Sequence, residues 1–267
     1  MSYVARYGLE FNPFVKNAPD VIIETNDYKQ IYQRLNFLID NKGFGVITGE
    51  PGRGKTTAVR HFTKQLNPSL FKVVYTSLST LTLSEFYRYL ASEFGIEPRH
   101  GKSDNYKAIQ SEISRYYHEK KITPLFIIDE ANYINSSILN EFKMLFNFEM
   151  DSKDRAIVLL VGMPTLNNTL RLAVNESLRQ RITMNYNMSN LNKESGRDYI
   201  LGRLQMAKCT QIVFDEPSLE SIINAANGIP RIINKICDMC LILGNEQEIE
   251  VINADVVMAA VNEIELG

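Results

Sequence analysis

With 267 residues, 45% of them hydrophobic and 22% charged, the chain has the length and apolar content for one large globular domain, or for a core domain with a small companion. Lys and Arg number 29 against 31 Asp and Glu, a formal net charge of −2 that excludes a globally basic nucleic-acid binder; a polyanionic partner must meet a local patch or a surface built by several subunits. No apolar run approaches the roughly 20 residues of a membrane span and no signal-peptide pattern opens the chain, so a cytoplasmic protein without a membrane segment is expected.

In chain order, short β-rich apolar runs alternate with helical stretches, the pattern of a parallel sheet covered on both faces. "FGVITG" (44–49) predicts a strand and "TTAVRHFTKQL" (56–66) the helix after it. "KVVYTSL" (72–78) predicts a second strand, followed by a helix near 82–94. In "SDNYKAIQSEISRYYHEKK" (103–121) Ile109, Ile113, Tyr116 and Tyr117 recur at helical spacing. "PLFIIDE" (124–130) is a continuous apolar strand ending in two carboxylates, "AIVLLVG" (156–162) is another, and "ITMNYNM" (182–188) is a last one. From about Asn192 the strands cease, and 192–208, 216–226, 230–243 and 253–265 all look helical. That change places a boundary near 190, with an α/β domain over 1–190 and a small all-helical domain over 191–267. Cys237 and Cys240, in "INKICDMCLIL", fall on one face of the expected helix; with no second ligand pair they read as buried thiols.

"GEPGRGKTT" (49–57) carries the first chemistry. Gly49, Gly54, Lys55 and Thr56 match G-x-x-x-x-G-K-[ST], leaving a strand and entering a helix as that motif requires. Glycines let the loop, with Glu50, Pro51, Gly52 and Arg53 inside it and Thr57 beyond, turn its N–H groups toward one anion, and the helix N-terminus adds partial positive charge. Such a loop binds ATP, with Lys55 on the β- and γ-phosphates and the Thr56 hydroxyl on Mg²⁺. The second half is "LFIIDE", which delivers Asp129 and Glu130 to the carboxyl edge of the sheet. Asp129 is placed to hold Mg²⁺ through water, and Glu130 to orient and polarise the attacking water, so hydrolysis is expected.

With the segments around them, these motifs resemble the AAA+ ATPases, in the group that holds the ExeA-type secretion ATPases and the TniB/TnsC-type transposition regulators. The resemblance runs from "YGLEFNPF" (7–14) through "GFGVITGEPGRGKTT", "LFIIDEAN", "VLLVGMP" and "SLRQRI" to "NGIPRIINKICD". It implies a P-loop NTPase fold, a parallel sheet sandwiched by helices and followed by a helical lid. It implies that Asn12, Pro13 and Phe14 lie against the nucleotide base, and that Arg231 in "GIPR" reaches the γ-phosphate of its own subunit. It further implies that Arg181, with Arg179 as the reserve, acts across a subunit interface as an arginine finger. Relatives carry a polar sensor residue where this chain has Met163; a thioether donates no hydrogen bond, so Thr165 or another polar group must serve.

A finger arginine works only between subunits, so a homo-oligomeric ring or helical filament is expected. Secretion-type relatives carry a membrane span and a cell-wall module after the lid, whereas this chain stops at Gly267; that favours a transposition regulator that assembles on double-stranded DNA with ATP and recruits a transposase. The alternatives are a secretion-associated ATPase and an ATP-dependent scaffold without DNA. Lys102, with Arg99 beside it in "EPRHGKSDN" (97–105), is the basic loop expected to meet DNA phosphates.

Overall fold

The computed structural model of the protein describes residues 3–19, 22–77 and 81–265. The chain opens with a short helix, α1 (Tyr3–Arg6), and a longer one, α2 (Asn26–Asn41). Strands and helices then alternate: β1 (Gly43–Thr48), α3 (Lys55–Gln65), β2 (Phe71–Ser77), α4 (Leu83–Phe94), α5 (Lys102–Arg115), β3 (Thr123–Asp129), α6 (Ser136–Leu145), β4 (Ile157–Gly162), α7 (Thr165–Arg171), α8 (Glu176–Arg179) and β5 (Ile182–Asn187). Helices α9 (Lys193–Met206), α10 (Glu216–Ala225), α11 (Pro230–Glu246) and α12 (Ala254–Glu265) complete it. Two compact units result: Gln30–Pro51 with Lys55–Met188, and Met1–Lys29 with Gly52–Gly54 and Ser189–Gly267.

The first unit is built on a five-stranded sheet in the order β2-β3-β4-β1-β5, with every pairing parallel. The three inner strands are buried almost throughout, which is why they read as unbroken apolar runs rather than alternating ones. Val46, Phe126, Ile128, Val158 and Leu160 face Phe86, Leu90, Ile109, Ile113, Ile138 and Phe142 from α4, α5 and α6. The opposite face takes α2; a Cβ on Gly45 would stand 2.5 Å from Leu38 Cδ2, so only glycine lets that helix close on β1. The fold class expected from the pattern is the one observed.

Local chemistry sets several boundaries. Thr82 caps α4 in a reciprocal box with Glu85, and Gly95 ends it in a left-handed conformation. The long helix expected over 103–121 stops at Arg115 and continues as one wider π turn, Tyr116–Lys120, closed by left-handed Lys121. Of the expected strand 72–78, Leu78 lies outside the described residues. Helices α2, α6, α7 and α8 join the expected set, and α2 turns its buried Ile31, Leu35 and Leu38 to one side at helical spacing.

The second unit is helical, and its core joins both ends of the chain. Tyr7, Leu9 and Phe14 are buried with Phe214, Ile236, Cys237, Cys240 and Leu241. The Tyr7 hydroxyl donates to Ile249 O at 3.0 Å, and Gly244 leaves the room that this tyrosine needs. Cys237 and Cys240 are free thiols and fully buried; desolvation raises both, Cys240 to about 12. No group of three or more His, Cys, Asp and Glu among the described residues could hold a metal ion.

Candidate functional site

The turn from β1 into α3 is built on two glycines that adopt φ values closed to most side chains, Gly52 at 83° and Gly54 at 95°. Nothing lies within 4 Å of where a Cβ on Gly54 would stand, so backbone conformation, not crowding, demands glycine there. Gly49 anchors the start of the turn, its N–H donating to Gly162 O at 3.2 Å. The Lys55 ammonium folds back over the loop and donates to Gly49 O at 2.6 Å and Glu50 O at 3.1 Å. Arg53 donates from Nε to Asn190 Oδ1 at 2.7 Å, and Thr57 is exposed on α3. A left-handed glycine turn, an open space and an ammonium at a helix N-terminus make an anion cradle that fits a nucleotide phosphate.

The carboxyl edge of β3 meets this cradle. Asp129 is 5% exposed, and its Oδ2 accepts from Thr56 Oγ1 at 2.9 Å and from Tyr75 Oη at 2.8 Å. Its Oδ1 accepts the Glu130 N–H at 2.9 Å. Oxygen donors paired in this way fit a hard divalent cation. Glu130 is exposed and stands just beyond the strand at φ 54°, ψ 33°, a left-handed conformation that costs a glutamate energy. Tyr75 is a residue that the sequence reading missed. Its phenol is raised far above its ordinary pKa, first by burial and then by the hydrogen bond to Asp129, so it stays a proton donor.

Around Met163 the polar groups come from elsewhere. The Asn132 Oδ1 accepts the Met163 N–H at 2.9 Å, and its buried Nδ2 has no partner among the described residues. Asn167 donates to Thr48 Oγ1 at 2.9 Å, which in turn donates to Asn187 Oδ1 at 3.0 Å. Thr165 is exposed at the head of α7.

The two arginines of "LRQRI" differ sharply. Arg181 is largely buried and donates to Lys143 O and Phe146 O, both at 3.0 Å, and to Asp154 Oδ1 at 3.2 Å, with its guanidinium 4.9 Å from the centre of the Phe44 ring. It ties off the carbonyl end of α6 within its own subunit. Arg179 is 46% exposed, with only a 3.4 Å bond to Arg171 O and a 3.9 Å approach to Glu176. Arg231 is exposed at the start of α11, and its N–H donates to Gly52 O at 3.2 Å.

The expectation that Lys102 lies in a loop is redrawn. Lys102 heads α5 instead of lying in a loop, and donates to Glu141 Oε1 at 2.6 Å, while the other oxygen of that carboxylate accepts Tyr87 Oη at 2.6 Å. Arg99 is exposed in the preceding segment, its backbone clasped by the Asn105 amide. Asn12 is buried, donating to Asp238 Oδ1 at 2.6 Å and accepting the Phe14 N–H at 2.9 Å. Phe14 lies in the helical core, and Pro13 O accepts Arg203 Nε at 2.8 Å. The Asn-Pro-Phe turn is thus held within the helical unit.

Comparison with known proteins places this geometry. The model of the AAA domain family matches residues 39–170. The chain is 30% identical over 263 residues to General secretion pathway protein A of Aeromonas hydrophila, covering 97% of this chain and 48% of that protein. It is 29% identical over 129 residues to ATP-dependent target DNA activator B of Escherichia phage Mu, covering 48% of this chain and 38% of that protein. It therefore spans about half the length, or less, of these curated relatives. Among solved structures, Cdc6p from Pyrobaculum aerophilum superposes with a TM-score of 0.68 at 19% identity, over 90% of this chain and 67% of that one. No helix among the described residues is long and apolar enough to cross a membrane.

Proposed function

We propose that the chain, whose residues 39–170 match the AAA domain family and which is similar to both secretion protein A and the target DNA activator, is an AAA+ P-loop ATPase that hydrolyses ATP with Mg²⁺ while assembled into a ring or helical filament on double-stranded DNA. The observation that carries the catalytic half is the Thr56–Asp129 hydrogen bond at 2.9 Å, which joins the phosphate loop to the carboxylate strand. In this reading the loop N–H groups and Lys55 hold the phosphates, the ammonium leaving its two loop carbonyls to do so. Thr56 and Asp129 hold the cation, which when bound supplies Lewis-acid charge at the phosphates. Glu130 orients and polarises the attacking water. Arg179 replaces Arg181 as the arginine offered to the neighbouring subunit, and Arg231 is the lid arginine for the γ-phosphate. Residues 191–267 serve as that lid.

The DNA half rests on the similarity to an ATP-dependent target DNA activator, and it makes the protein a transposition regulator that recruits a transposase. Arg99 is the better-placed phosphate contact, and Lys102 contributes once its bond to Glu141 opens. A second reading, a secretion-associated ATPase, is favoured by the similarity to secretion protein A over 97% of the chain. Titration of random-sequence duplex with protein in ATP-analogue, ADP and nucleotide-free states separates the two: nucleotide-gated binding supports the first, and no binding in any state removes it.

A further inference from the structure

The Asp129 carboxylate has three protein donors, and one of them belongs to neither nucleotide motif. Tyr75 stands on β2, an edge strand of the sheet, opposite Ile127 of β3, and Ser77 stands opposite Asp129. Alternation along paired strands puts Tyr75, Ile127 and Asp129 on one face, with Tyr75 and Asp129 as diagonal neighbours within reach of a long side chain. The Tyr75 hydroxyl donates at 2.8 Å to the same oxygen that accepts Thr56 at 2.9 Å. The residue is 46% exposed, so packing alone gives little account of it. The charged groups facing the phenol are Asp129 and Glu130, and both keep it protonated.

We infer that Tyr75 is a positioning residue for the divalent-cation site: its hydroxyl fixes the rotation of the Asp129 carboxylate and so sets how tightly that site takes a hard cation, without touching the nucleotide. This rests on the reading of Thr56 and Asp129 as the cation's holders. A carboxylate is free to turn about its last torsion, where the energy wells are broad and roughly two-fold. Two donors on one oxygen and a backbone N–H on the other remove that freedom before the cation arrives. Outer partners of metal ligands typically contribute 10- to 100-fold in metal affinity, mostly through such orientation.

The test uses Mn²⁺ as the probe on the full chain loaded with ADP, where no turnover occurs, and reads free Mn²⁺ by electron paramagnetic resonance. Tyr75→Phe, which removes only the hydroxyl, is expected to weaken Mn²⁺ uptake about tenfold, while ADP affinity in chelator and melting temperature stay as in the wild type. Thr56→Val is the control that loses uptake. If Tyr75→Phe takes up Mn²⁺ as the wild type does while Thr56→Val does not, the tyrosine inference alone is overturned. If Tyr75→Phe loses ADP affinity and melting temperature in step with Mn²⁺, its role is structural and the inference is likewise overturned. If the wild type takes up no Mn²⁺ with ADP, the cation-site reading falls and takes this inference with it.

Discussion

Replacing Arg181 with alanine separates a structural arginine from a catalytic one. Its side chain is 13% exposed, and its guanidinium satisfies two carbonyls, Lys143 O and Phe146 O, that α6 cannot satisfy itself. Leaving buried acceptors unpaired costs about 1–3 kcal/mol each. The Asp154 partner is 37% exposed, so that ion pair is screened and adds at most about 1 kcal/mol. The stacking on Phe44 adds a further ~0.5–2 kcal/mol. Because these terms are not independent, we take about 3–5 kcal/mol for the whole change, a large fraction of the roughly 5–15 kcal/mol that holds a domain folded. For a unit of this size each kcal/mol moves the melting temperature by about 2–4 °C, so a fall on the order of 10 °C is expected. Scanning calorimetry on nucleotide-free protein, beside Arg179→Ala as the surface control, reads it directly. An Arg181→Ala protein that melts with the wild type and yet has lost turnover would refute the structural assignment and restore Arg181 as the finger.

Lys55→Ala should abolish useful ATP binding, whereas Glu130→Gln should keep binding and lower steady-state turnover by at least about tenfold; a Glu130→Gln enzyme with full turnover removes that residue from the mechanism. Arg179→Ala and Lys55→Ala subunits, each inactive alone, should regain part of the activity when mixed, since each supplies what the other lacks at a shared interface. Co-assembly without recovery would dismiss Arg179.

How much of this was legible depends on whether the partners were adjacent in sequence. Gly49, Gly54, Lys55 and Thr56 are contiguous enough to be read as a cradle, and the apolar run before Asp129 announced its strand and its edge. The fold class followed from the same alternation of buried runs and helices. Tyr75 was not legible, because its role depends on the register of β2 against β3, which no spacing in the chain encodes. The carbonyl partners of Arg181 were hidden for a related reason: an arginine between a short helix and a strand looks the same whether or not it is tied to Lys143 and Phe146 of its own chain. Lys102 read as a free loop cation because Glu141, 39 residues on, was not visible as its partner. Asn12 and Phe14 are assigned to a ligand by resemblance, while the groups that hold them here, Asp238 and Phe214, sit 200 or more residues away. Helix α2 could have been found: Ile31, Leu35 and Leu38 keep helical spacing through a polar stretch.

The central claim is that ATP joins subunits into a surface that grips duplex DNA. A fluorescence-anisotropy titration of random-sequence duplex with the Glu130→Gln protein tests it most directly, since that variant should hold ATP without consuming it. With a net charge of −2 a lone subunit should bind weakly, and ATP should turn many weak phosphate contacts into one continuous footprint. The account predicts binding that is steep in protein concentration, present with ATP, absent with ADP and weakened by added salt. Binding of equal strength in every nucleotide state, or none at micromolar protein and low salt, would contradict it.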